Sequence, residues 1–221
     1  MVRTFLQRYD SVLAWEPRVN ENSSEKWVLL GASRGLGLAF SQLVMAIHPN
    51  INLFLASRAI NGFDFSNTDL FEFYAEKIAD FSADRIFYFA GGGPYGPYSK
   101  FDWKDHLWSF NVSFGFPAYL LNYLGKLDSK ILQMVFLGSA VAETQPDPNA
   151  AMYCASKHAL RGLITTLQKE GFPIPLSLFS PGYMNTTLLP KSAWPRQLGL
   201  VSEPDVVARQ LLQLVISFDG K

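Results

Sequence analysis

Tyr153 and Lys157 stand four residues apart in the run Tyr153-Cys154-Ala155-Ser156-Lys157, so a helix there sets a phenol and an ammonium on one face. Such a pair has a use in proton transfer. Reduction of a carbonyl by hydride leaves an alkoxide that needs a proton, and a free tyrosine, with a pKa near ~10, holds its own too tightly to exchange it well at neutral pH. A cation about 4 Å away at an effective dielectric of about 20 contributes ~4 kcal/mol, enough to lower that pKa by roughly 3. The expectation is a proton-transferring Tyr153 brought into a working range by Lys157. The same spacing also describes any ordinary helix face, so the pair needs support from the rest of the chain.

The elements that must position it follow from the pattern of apolar residues. Short runs rich in β-branched and aromatic residues, Trp27–Leu30, Ile51–Ala56, Arg85–Ala90, Ile131–Leu137 and Leu176–Phe179, read as strands. Between them Leu36–Ala46, Thr68–Phe81, Lys104–Leu124, Tyr153–Lys169 and Pro204–Ile216 have the length and spacing of helices. Alternation of this kind predicts a doubly wound α/β fold, a parallel sheet covered on both faces by crossover helices. The polar stretch Asn20–Glu25 separates residues 1–26, an N-terminal appendage, from one domain over 27–221. The appendage reads as a short docked helix, with Phe5, Leu6, Tyr9, Val12 and Leu13 on one face, or as a strand pair around Trp15.

Directly after the first strand comes Gly31-Ala32-Ser33-Arg34-Gly35-Leu36-Gly37, opening the first helix. Gly31 can turn tightly off the strand, Gly35 can let backbone approach a pyrophosphate, and Gly37 can let the helix sit close to the sheet. The helix N-terminus would then offer free N–H groups to phosphates; the bland alternative is three turn glycines. An NAD site places a carboxylate at the end of the second strand for the ribose 2′-hydroxyl. Here that stretch reads Leu55-Ala56-Ser57-Arg58, without an acid and ending in a guanidinium suited to a phosphate. Arg34 could reach the same phosphate. Unless both arginines are merely solvated, they favour NADP over NAD.

The composition bounds the partners. Lys plus Arg and Asp plus Glu are both 19 in 221 residues, so the net charge is zero and nothing draws the chain to nucleic acid or to an anionic membrane. Arg3, Arg8 and Asp10 interrupt the N-terminal segment, which therefore lacks a signal-peptide core. No run reaches membrane-spanning length. A lone Cys154 excludes an internal disulfide, and the expected location is the cytoplasm. His48, His106 and His158 lack metal-ligand spacing, so no metal site is expected.

From Trp27 to about Ile216 the chain resembles the short-chain dehydrogenase/reductase family. The Gly31–Gly37 turn is similar to that family's T-G-x-x-x-G-x-G with Leu30 in place of the threonine, and Tyr153 and Lys157 match its Y-x-x-x-K. Ser139, fourteen residues before the tyrosine, falls where the family has a substrate-positioning serine, and Asn111 where it has an asparagine holding a relay water. Pro181-Gly182-Tyr183-Met184-Asn185-Thr186 resembles the P-G-x-x-x-T that contacts the nicotinamide. The resemblance implies a Rossmann-like three-layer α/β/α fold and four catalytic residues, Asn111, Ser139, Tyr153 and Lys157. Beyond Tyr153 and Lys157, it implies a cofactor set of Gly31, Ser33, Arg34, Gly35, Leu36, Gly37, Arg58, Asp64, Ala90, Gly91, Gly92, Pro181, Gly182 and Thr186. The implied activity is NADP(NADPH)-dependent interconversion of a carbonyl and an alcohol, in a homodimer or homotetramer. A non-catalytic NADP(H)-binding sensor on the same fold is the alternative.

Three departures stand out. The family's N-N-A-G is Tyr88-Phe89-Ala90-Gly91, with aromatic side chains replacing both amides. Only five residues separate Arg58 from Asp64, which resembles the family's adenine-contacting acid, whereas a parallel crossover needs a dozen or more. No helix is expected between them, and the family's third strand should be vestigial or absent. Little chain follows Ile216 to form a last strand. Tyr95, Tyr98, Phe101, Trp103, Tyr183, Met184, Leu188, Leu189 and Trp194 border the substrate side, so an apolar or aromatic carbonyl compound is expected there, although any one of them would equally pack the core or an interface.

Overall fold

The computed structural model describes residues 25–219, so the expected appendage lies outside the described residues apart from Glu25 and Lys26. Five strands form one parallel sheet: β1 (Lys26–Leu30), β2 (Asn52–Ala56), β3 (Arg85–Tyr88), β4 (Gln133–Leu137) and β5 (Leu176–Phe179). The helices, in chain order, are α1 (Gly35–Ile47), α2 (Arg58–Asn61), α3 (Phe71–Asp80), α4 (Trp103–Phe110), α5 (Phe116–Leu124), α6 (Ala140–Thr144), α7 (Ala151–Glu170), α8 (Trp194–Gln197) and α9 (Pro204–Asp219). The strand order β2-β1-β3-β4-β5 reverses direction between β1 and β3. In a doubly wound sheet that reversal opens a crevice at the carboxyl ends of the strands.

Alternate residues of each strand enter different layers, as the pleat demands. Val28, Leu30, Ile86, Tyr88, Met134 and Phe136 meet α3, α5 and α7 through Tyr74, Ile78, Phe116, Leu120, Leu160 and Ile164. Trp27, Leu29, Phe87 and Val135 meet α1 and α9 through Leu36, Phe40, Val44, Val207, Ala208 and Leu211. The fold is thus a three-layer α/β/α arrangement. The two amides replaced by aromatics have separate fates: the Tyr88 hydroxyl donates to the Val112 carbonyl at 2.7 Å, and Phe89 packs on Phe40 and Phe87.

Two expectations need correction. The segment after β2 does contain a helix: α2, one turn long, is capped by Ser57, whose hydroxyl accepts from the Ile60 N–H at 3.2 Å, and is stopped by Gly62 at φ +75°. A cap and a left-handed stop five residues apart permit one turn and no crossover. The long helix α3 instead carries the chain to β3, which pairs with β1, so no strand lies beyond β2 among the described residues. The helix expected over Lys104–Leu124 is interrupted by a π turn at Asn111–Gly115. Such turns leave the apolar period nearly intact, and they concentrate at functional sites.

Candidate active site

Every element that could act ends at the carboxyl edge of the sheet. The ladders run straight into the glycine turn, with Gly31 N–H donating to Ala56 O at 2.7 Å and Ala90 N–H to Leu30 O at 3.2 Å. Gly31 takes φ +91°, and a Cβ there would stand 2.5 Å from the Ala90 nitrogen. A Cβ on Gly37 would stand 2.5 Å from the Gly31 carbonyl oxygen. Both positions therefore require glycine, one for the turn and one for the close helix. The first turn of α1 carries no side-chain cap and no acid, so its N–H groups are offered to a ligand.

These groups line a cleft of about 310 Å³. Of the expected cofactor residues, Gly31, Ser33, Arg34, Gly35, Leu36, Gly37, Arg58, Asp64, Ala90, Gly91 and Thr186 border it. Neither Arg34 nor Arg58 pairs with a carboxylate among the described residues. The Arg58 guanidinium lies 5.6 Å from the Trp108 ring, also in the cleft wall. A glycine cradle, an uncapped helix start and two unpaired guanidinium groups fit a phosphorylated dinucleotide.

Gly92, Tyr153, Lys157, Pro181 and Gly182 are not part of that wall. Gly92 is held by Ser109 and Ser113 under Trp108 and Leu188, either of which a Cβ would approach to 3.0 Å. The Pro181 carbonyl accepts from Ala140 N–H at 3.0 Å. Gly182 and Tyr153 line a second cavity of about 100 Å³ with Ser139, Val141, Ala142, Asp147, Tyr95 and Tyr183. Met184, Thr186 and Leu188 belong to both walls, so the cavities adjoin. Of the bulky residues expected here, Tyr95, Tyr183, Met184, Leu188 and Leu189 line the smaller cavity. Tyr98, Phe101 and Trp103 instead gather on His106, and Trp194 meets Tyr183 edge-on.

Tyr153 and Lys157 project from α7, which begins two residues before the tyrosine, and Ser139 caps α6 at the end of β4. Ser139 hydrogen-bonds the Tyr153 phenol and favours its ionised form, but withdrawal from water wins and pushes the phenol up to about 12. The expected lowering by Lys157 is not among the influences on Tyr153 here. The Lys157 ammonium donates to Leu137 O at 2.6 Å and sits 5.6 Å from the centre of the phenol ring. Only 1% exposed, Lys157 is itself brought down by desolvation to about 8, against the opposing charge of Glu143. Burial thus outweighs the attraction that spacing alone suggested.

Asn111 opens the π turn, where its side-chain amide donates to Ser66 O at 3.1 Å, close to Asp64. Lys157 and the Ser113 hydroxyl both flank Gly91: a Cβ there would lie 3.3 Å from Lys157 Nζ and 3.5 Å from Ser113 Oγ. Asp64 itself accepts from the Ser66 N–H and hydroxyl, at 3.0 and 2.6 Å.

Two carboxylates were missed. Glu143 Oε1 accepts from Ser139 N–H at 2.9 Å and from the Ser180 hydroxyl at 2.8 Å, while Oε2 pairs with Arg161 at 3.2 Å. Its position four residues after Ser139 was the only signal available. Asp147 is buried beneath the hydroxyls of Tyr95 and Tyr183. No group of residues able to hold a metal occurs among the described residues.

A short chain dehydrogenase family model matches residues 119–196, which span the segment from α5 to α8 with Ser139, Tyr153 and Lys157. An uncharacterized oxidoreductase of Schizosaccharomyces pombe is 28% identical over 183 residues, covering 72% of this chain and 60% of that protein. Solved structures share the fold at low identity. A short chain dehydrogenase from Burkholderia cenocepacia in complex with NADP superposes with TM-score 0.71 at 18% identity, covering 89% of this chain and 92% of that one. A short chain dehydrogenase/reductase from Burkholderia phymatum in complex with NAD gives 0.70 at 20%, covering 90% and 88%. The glycine turn, the Tyr153–Lys157 pair and this fold agree in making the chain similar to the short-chain dehydrogenases.

Proposed function

We propose that the chain is an NADP-dependent oxidoreductase that interconverts a carbonyl and an alcohol. The observation that carries this reading is the meeting of the Ser139 and Tyr153 hydroxyls in a cavity that shares Met184, Thr186 and Leu188 with the glycine-lined cleft. Gly31, Gly35 and the start of α1 would hold the pyrophosphate, Arg34 and Arg58 the 2′-phosphate, and Asp64 the adenine end. Bound there, the nicotinamide supplies or accepts the hydride.

The chain's own residues manage the proton. Ser139 donates a hydrogen bond to the substrate oxygen and so stabilises charge as it develops. The Tyr153 O–H gives up its proton as that oxygen becomes an alkoxide, whose basicity exceeds that of a phenolate even at a phenol pKa of about 12. Lys157, still largely protonated at neutral pH with a pKa of about 8, stabilises the phenolate left behind. Ser113, which with Lys157 flanks Gly91, and Asn111 in the π turn are proposed to lead the replacement proton in from solvent.

The test follows NADPH absorbance with a panel of carbonyl compounds, beside fluorescence titration of NADPH and NADH. Tyr153→Phe should lower kcat at least 10²-fold with NADPH affinity retained, since the proton matters only in the transition state. Arg58→Ala should weaken NADPH and leave NADH unchanged. Wild-type turnover in Tyr153→Phe, or equal affinity for the two nucleotides in the native protein, overturns the reading.

A further inference from the structure

The smaller cavity holds a polar group that proton transfer does not use. Asp147 is 5% exposed, and no lysine or arginine among the described residues pairs with it. Oδ1 accepts from Asn149 N–H at 2.9 Å. Oδ2 accepts from the Tyr95 hydroxyl at 3.1 Å and the Tyr183 hydroxyl at 2.8 Å. These three residues come from distant stretches of the chain and converge on the cavity that Ser139 and Tyr153 also line.

A phenol has one proton to donate. Tyr95 and Tyr183 both direct theirs at Asp147, so towards a ligand their oxygens act only as acceptors. The carboxylate behind them, without an ion-pair partner among the described residues, adds a negative potential, and water exclusion magnifies it. Burial and the Asp147 charge raise the pKa of both phenols, so they stay protonated and keep this polarity at neutral pH. The cavity therefore has two polar sets of opposite character. Ser139 and Tyr153 donate to an oxygen. Tyr95, Tyr183 and Asp147 accept from a donor, and Val141, Ala142, Leu188 and Leu189 supply apolar wall between.

We infer that this cavity selects a compact carbonyl or alcohol compound carrying a second, hydrogen-bond-donating group, best an ammonium, and rejects carboxylates and phosphates. The inference deepens the oxidoreductase reading, resting on its placement of the substrate beside Ser139 and Tyr153, and it adds a polar group to the apolar or aromatic carbonyl compound expected from the bulky residues. An anion here would meet two acceptor oxygens and a carboxylate at close range, with no lysine or arginine in the cavity lining beside them.

Benzylamine, benzyl alcohol and benzoate offer one ring with three charge states. Each is titrated into the full chain at pH 7 by calorimetry, and into Asp147→Asn and the double variant Tyr95→Phe/Tyr183→Phe. Benzylamine, bound as its ammonium, should bind at least tenfold more tightly than benzoate, with benzyl alcohol between them. Asp147→Asn should shrink that ratio below threefold. The double variant keeps the charge, so it should keep the ammonium preference and lose several-fold affinity for benzyl alcohol. Equal or inverted ranking in the native chain, absence of any binding, or a ratio unchanged in folded Asp147→Asn overturns the inference. Should Asp147→Asn not fold, the native ranking and the double variant decide. A chain that ranks the probes as expected yet reduces no carbonyl compound would retain this preference and refute the oxidoreductase reading. Turnover with a flat ranking would do the reverse.

Discussion

Replacing Lys157 by methionine should make the protein more stable while removing its activity. A lysine held at about 8 in the folded chain, against 10.5 when free, costs the folded state about 3 kcal/mol at pH 7. Methionine keeps most of the apolar stem and removes the charge. It also leaves the Leu137 carbonyl without its 2.6 Å donor, a loss of about 1–2 kcal/mol. The net gain is about 1–2 kcal/mol, or roughly 2–8 °C in Tm. The pH dependence separates this from a packing effect. Between about 8 and 10.5 the unfolded lysine keeps a proton that the folded one has lost, so native stability rises with pH across that window, and the variant lacks the rise. Above 10 the sign changes for another group. Tyr153 holds its proton to about 12 when folded and loses it near 10 when unfolded, so stability falls there in both proteins. Urea unfolding of both proteins from pH 7 to 10 gives the difference curve. A variant less stable by 1 kcal/mol or more at pH 7, or a difference that does not shrink between pH 8 and 10, refutes the account.

Three further outcomes follow from single contacts. Gly37→Ala puts a Cβ 2.5 Å from the Gly31 carbonyl, so α1 must retreat; NADPH affinity should fall more than tenfold in a fluorescence titration. Tyr88→Phe leaves the buried Val112 carbonyl without its 2.7 Å donor and should lower stability by about 1–3 kcal/mol in denaturant unfolding. Glu143→Gln retains an acceptor for Ser139 N–H but removes the charge that raises Lys157, so the alkaline limb of kcat should move to lower pH; an unmoved limb would limit Glu143 to a structural role.

What the sequence shows of this molecule is what short-range pattern can carry. The strand Leu176–Phe179 agrees residue for residue, and the others differ by a few positions at their ends, because a buried parallel strand is written as a compact apolar run. The glycine turn is equally plain, since steric demands at Gly31 and Gly37 admit one residue type. The π turn at Asn111–Gly115 is not legible: one extra residue in a turn barely shifts the apolar face. Helix α6, five residues long, is shorter than its own period requires for detection. The charges around the site are hidden for a different reason. Glu143 meets Ser180 across 37 residues and Asp147 meets Tyr95 across 52, so nothing local announces either. The same is true of the Tyr153 pKa. Spacing put a cation near the phenol, but only the packed structure shows that both were taken out of water.

The missing third strand has a consequence for the cofactor side. Among the described residues nothing pairs outside β2, so it is an edge there, and an edge must be protected. The one-turn α2 does this locally: the Asn61 side chain donates to Leu55 O at 3.2 Å and accepts from Ser57 N–H at 3.1 Å, closing the strand end on itself. That closure also fixes where α2 begins, and its first residue is Arg58. Held at the rim by the turn and by the Trp108 ring, a contact of about 0.5–1 kcal/mol at an exposed site, the guanidinium is oriented into the cleft before any ligand arrives. A long crossover helix would have started from the same strand end but would have carried the chain on to a new strand. The shortened segment therefore keeps the arginine and the acid Asp64, six positions on, in one wall of the cleft, as the proposed NADP reading needs.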